Sequence, residues 1–122
     1  MVNALETAQM AALAADGKKA YDILILDIRG LTTVADYFVI CSGSNTTQVG
    51  AIADGVGQKL AAGNIYASHI EGEAESTWVL MDYGDVVVHI FEEQTRAYYG
   101  LDRLWSDAAR VAPELPATLA AR

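Results

Sequence analysis

Several residue groups have the types and spacing to do chemistry. Cys41-Ser42-Gly43-Ser44-Asn45 closes an apolar run and opens a helical pattern, so backbone N–H groups at the helix start could face a phosphate. Nucleotidyl transfer at such a place also needs two carboxylates one residue apart on a following strand, to hold a divalent metal. The residues that follow give Asp54-Gly55-Val56 inside the helical pattern, with no second acid. The catalytic half is missing. Ser42 or Ser44 as a nucleophile would need a base that nothing in the sequence specifies. Asp82 and His89 can meet across a hairpin, but such a pair alone is not an active site. Glu71, Glu73 and Glu75 alternate in a spacing that could ligate a cation, although a solvated connection is the usual meaning of such a run. Two histidines and one cysteine leave no zinc constellation, and neither GxxxxGK[ST] nor GxGxxG occurs. No catalytic residue, metal or cofactor is expected.

The bulk numbers narrow the partners. With 16 acids against 8 bases the net charge is −8, which argues against affinity built on phosphate contacts and suits a basic protein partner. The single cysteine, Cys41, excludes an internal disulfide framework and reads as a small buried hydrophobe. No secretion signal is visible, and no apolar run is long enough to span a bilayer. A cytoplasmic protein of one domain is the expectation, since 122 residues suit one core.

The elements that must position any surface are organised around WVLMDYGDVVVHIF, residues 78–91. Two β-rich runs meet at Gly84-Asp85, a hairpin signal. A two-residue turn pairs Tyr83 with Val86, Leu80 with His89 and Trp78 with Phe91. Alternation then puts Val79, Met81, Tyr83, Val86, Val88 and Ile90 on one face, nearly all apolar and facing a core. Trp78, Leu80, Asp82, Val87, His89 and Phe91 share the other. A solvated face does not need Trp, Leu and Phe, and a buried one does not need Asp and His. Two readings stand: a surface buried only when a partner arrives, or a face covered by the protein's own helix with Asp82 and His89 hydrogen-bonded inside.

The rest of the chain reads in order. Residues 4–19 are Ala- and Leu-rich and helical, with Asn3 as N-cap. Residues 23–28 (ILILDI) and 37–41 (YFVIC) are strands near the centre of a sheet. Asn45 and Gln48 fit a capping box at the head of a second helix that ends near Gly63. A strand at about 66–70 completes a crossover. Tyr98, Leu101 and Trp105 recur at helical spacing, with Gly100 able to split the segment in two. This stripe is expected to pack on the sheet for the most part. Residues 106–122 hold both prolines and no strong apolar pattern. A domain over 1–108 and a loosely attached tail over 109–122 are expected.

Three segments carry a resemblance: KKAYDILILDIRGLTTVADYFVICSGSN, WVLMDYGDVVVHIF and RAYYGLDRLW. Together with the run from Gln48 to Leu60 they resemble the ribosome silencing factor family, also called RsfS or Iojap, over about residues 18–105. The resemblance implies a mixed α/β sheet of nucleotidyltransferase-like topology without catalytic residues, with about five strands and flanking helices. It implies binding to ribosomal protein fourteen of the large subunit, at the surface that meets the small subunit. There the factor would block subunit joining and repress translation when nutrients are scarce. Nucleic acid would not be the main contact, and a homodimer off the ribosome is compatible. The family's motif residues fall on Trp78, Leu80, Asp82, Tyr83, His89 and Phe91, and on Arg96, Tyr98, Tyr99, Leu104 and Trp105. Of these, the contact is expected on Trp78, Leu80, Asp82, Tyr83, His89, Tyr98 and Tyr99. The rival function is a nucleotide-binding or nucleotidyl-transferring enzyme.

Overall fold

The computed structural model describes residues 2–112. Its strands lie in the order β3-β4-β5-β2-β1-β6 in one mixed sheet. The centre is β2 (Tyr37–Gly43) beside β5 (Val86–Glu92), the only parallel pair among the described strands. Both strands are β-branched and aromatic runs with almost every residue buried, as central strands should be. β1 (Tyr21–Asp27) pairs antiparallel with β2, and β4 (Trp78–Asp82) antiparallel with β5. β3 (His69–Glu71) and β6 (Ala109–Val111) are the edges. The mixed α/β domain expected from the sequence is therefore present, with a sixth strand. That strand lies beyond the boundary placed after residue 108. It pairs antiparallel with β1, Ile25 opposite Val111. The remainder of the expected tail, 113–122, lies outside the described residues.

One face of the sheet carries α1 (Ala4–Gly17) and α2 (Thr46–Ala62). Asn3 caps α1 as expected, in a full capping box with Glu6. Ala8, Ala11, Ala12 and Ala15 are its buried face, and their small side chains let α1 lie close to α2 and the sheet. Ile25, Val39, Cys41, Val79, Met81, Val88 and Ile90 meet these helices in the larger core cluster. The other face is covered only in part, by α3 (Glu93–Tyr99) and α4 (Leu101–Leu104). Gly100, at φ +60, separates these two, a backbone position where a Cβ is strained.

The expected crossover is present, and it is a wide one. α2 leads to β3, which runs parallel to β2 with β4 and β5 between them. The expected strand at 66–70 shortens to His69–Glu71, all of it exposed. Tyr66 falls in the connection before β3 and stays exposed.

Candidate protein-docking surface

The hairpin register is the expected one: Trp78 opposite Phe91, Leu80 opposite His89, and Tyr83 N–H donating to the Val86 carbonyl at 2.8 Å. Extending it across the sheet places Trp78, Leu80 and Asp82 on one face with Phe91, His89 and Val87, and next with Ser42, Ile40 and Phe38. This is the face that the two large helices leave free. The reading of a face covered by the protein's own helix holds in part. Phe91, His89 and Val87 are buried, whereas Trp78, Leu80 and Asp82 are half-buried and open along one side.

Aromatic rings form the floor. Trp78 stacks on Phe91 with centroids 4.9 Å apart, and Tyr99 leans on Trp78 from α3 at 4.9 Å. Phe38 meets His89 edge-on at 4.8 Å and Trp105 at 5.3 Å. Leu101 and Trp105 pack on this cluster as the helical stripe predicts. Tyr98 does not: it is 81% exposed, and Tyr99 is 55% exposed. The two tyrosines, Trp78, Glu75 and Glu92 line an open groove of about 620 Å³. Glu71, at the end of β3, and Glu73, on the loop after it, are also exposed.

Two expected site residues stand apart from this group. Tyr83 lies on the opposite face, half-buried against the α1–α2 core, where burial raises its phenol pKa. His89 is on the docking face but only 4% exposed, beneath it rather than in it. Nor does His89 pair with Asp82. Asp82 Oδ1 instead accepts the Gly84 N–H at 2.8 Å and braces the turn. His89 Nδ1 accepts from Trp78 Nε1 at 3.2 Å, which leaves the proton on Nε2, a buried atom with no partner. The hydrogen bond fixes the indole plane, so His89 acts on the surface through Trp78.

Burial pushes the His89 imidazole down from its ordinary value to about 4. The folded chain then refuses a proton that the unfolded chain takes up below about 6.5. Stability should be full at neutral pH and fall by about 2 kcal/mol between about pH 7 and pH 5, through this group alone. Denaturant melts at both values should show that loss in the native chain and a flatter profile in His89→Leu. An equal loss in both would assign the effect to another group.

The helix start that suggested phosphate chemistry is closed by the protein's own side chains. Asn45 Oδ1 accepts the Gln48 N–H at 2.8 Å. Gln48 Oε1 accepts the Ser44 N–H at 2.6 Å, one residue earlier than a capping box requires, and Gln48 Nε2 donates to the Lys19 carbonyl at 3.0 Å. Asp54 lies on α2 as expected. Among the described residues no group of three His, Cys, Asp or Glu is placed to hold a metal ion.

Comparison with known proteins agrees with the motif resemblance. The family model described as ribosomal silencing factor during starvation matches residues 2–122. A ribosomal silencing factor RsfS of Bacillus subtilis is 48% identical over 100 residues, 82% of this chain and 85% of its own. A mouse protein named for mitochondrial assembly of the ribosomal large subunit is 29% identical over 73% of this chain and 40% of its own. A crystal structure of a Chromobacterium violaceum protein superposes with a TM-score of 0.84 at 33% identity, covering 86% of this chain and 88% of that one. With a family model matching nearly its whole length, and a relative of like size almost half identical, this chain belongs to the ribosomal silencing factor family.

Proposed function

We propose that this protein is a binding factor, not an enzyme, and that it docks on ribosomal protein fourteen of the large subunit. Bound there, it blocks association with the small subunit and represses translation when nutrients are scarce. The observation that carries this reading is the half-open face of Trp78 and Leu80, flanked by the exposed Tyr98 and Tyr99 and by carboxylates. Large aromatic side chains are common interface anchors, and an acidic rim on a chain of net charge −8 favours a basic protein over bare RNA. The mouse relative's name, which speaks of the ribosomal large subunit, points to the same particle. No described helix is long and apolar enough to cross a membrane, in keeping with work at ribosomes in the cytoplasm. Off the ribosome, the same face is available to a second copy of the chain.

The purified protein should co-sediment with free large subunits and not with small ones. Equal pelleting with both, or with neither, would sink the proposal.

A further inference from the structure

The exposed tyrosines stand on elements that have little to hold them. α3 is seven residues long and α4 four, and neither contains a buried residue. Helices this short are not stable by themselves in water. The Glu92 side chain caps α3, accepting from the N–H groups of Gln94 and Thr95. Leu101 and Trp105 touch the smaller core cluster. The largest set of directed contacts comes from Arg96. Its Nε and Nη2 donate to Asp102 Oδ1 and Oδ2 at 3.3 and 2.8 Å, a two-pronged bond that bridges α3 and α4 across Gly100. Its Nη1 donates to the Asp22 carbonyl at 2.6 Å and to Ser42 Oγ at 2.8 Å. Asp22 sits at φ +50 in the irregular stretch of β1, and Ser42 is near the end of β2. One guanidinium therefore pins both short helices to two strands. The ion pair is shielded, with the Arg96 side chain 11% exposed, and Asp102 is held below the usual carboxylate range by it.

We propose that Arg96 is a positioning residue for the docking surface: it fixes α3 and α4 on the sheet and so sets Tyr99 against Trp78. This rests on the large-subunit reading for its functional consequence, but not for its structural one. Arg96 and Tyr99 are one turn apart on α3, so a shift of the clamp carries the phenol with it. Lysine cannot replace the fork, because a single ammonium cannot span a carboxylate, a carbonyl and a hydroxyl in that geometry.

Arg96→Lys, Tyr99→Ala and the double variant separate positioning from general stability. Arg96→Lys should keep the cooperative melt of the sheet, since the core clusters do not include Arg96. It should speed amide exchange over residues 93–104 and leave β5 protected. Large-subunit affinity should fall about tenfold, and Arg96→Lys should add no further loss once Tyr99 is alanine. Additive losses, or unchanged exchange over 93–104, would overturn the proposal. If the native chain does not bind large subunits at all, the ribosome reading fails. Faster exchange in Arg96→Lys would still support the clamp in that case, and unchanged exchange would still defeat it. Should Arg96→Lys not fold, Asp102→Asn carries the same two readouts, because it weakens the α3–α4 bridge and leaves the Asp22 and Ser42 bonds.

Discussion

Met81→Ala should destabilise the domain by about 2–5 kcal/mol while leaving the affinity of the folded fraction for large subunits unchanged. Met81 is 2% exposed and points into the α1–α2 core. It pairs with Val88 on one side and Ile70 on the other, and its methyl lies over Gly57 of α2. Gly57 has no side chain to move into the space. The cavity would stay open, which places the cost in the upper part of that range. A denaturant titration reads the loss as a shift in midpoint at constant slope. Binding measured well below that midpoint should match the native chain. A variant that keeps its midpoint and loses binding would invert the assignment of the two hairpin faces.

Trp78→Ala should do more harm to binding than any other single change on the open face, weakening it by roughly thirtyfold, about 2 kcal/mol. Sequence alone suggests that the fold would be untouched. The structure adds a cost. Removing the indole uncovers Phe91 and takes the donor from His89 Nδ1, an acceptor on a buried ring. Stability should therefore also drop, by about 1–3 kcal/mol. Tyr98→Ala is the comparison that keeps the two effects apart, because Tyr98 is 81% exposed and touches chiefly Tyr99. Its melting temperature should not move, while its affinity should fall. If Tyr98→Ala binds as the native chain does and Trp78→Ala merely melts early, the ribosome-facing surface lies elsewhere.

The hairpin was readable because period-two alternation and an even turn fix which side chains share a face, and no other element needs to be known. The central strands were readable for a similar reason, since β2 and β5 are apolar on both faces. Tyr98 was not. Its spacing to Leu101 and Trp105 assumes one continuous helix, and Gly100 resets the rotation between them, so Leu101 and Trp105 turn inward while Tyr98 turns out. Asp82 and His89 were close enough in the pattern to suggest a pair, but local bonds compete. A carboxylate two residues before a turn glycine takes the turn N–H, and an imidazole diagonal to a tryptophan on the neighbouring strand takes the indole N–H. β6 is only three residues long, too short for its alternation to announce it. Its Ala109-Arg110-Val111 pairs with an edge that only the folded sheet creates. The Arg96 clamp joins residues from three distant segments, and no spacing rule in a single sequence brings Asp22, Ser42 and Asp102 together.

The sheet's flanks bear on how it can meet other chains. A long, flat outer strand invites a neighbour to pair with its free amides and carbonyls, the route to fibrils and swapped strands. Here the outer strands β3 and β6 are three residues each. β3 gives way at once to Gly72, where a Cβ would collide with the Trp78 carbonyl oxygen, so only glycine lets the chain fold back over β4. Glu71 at the end of β3, with Glu73 and Glu75 after the glycine, lines that flank and repels an identical one. Backbone pairing is indifferent to sequence and would admit any extended peptide. With that route kept short and charged, recognition at this end of the molecule falls to side chains, which can tell one partner from another.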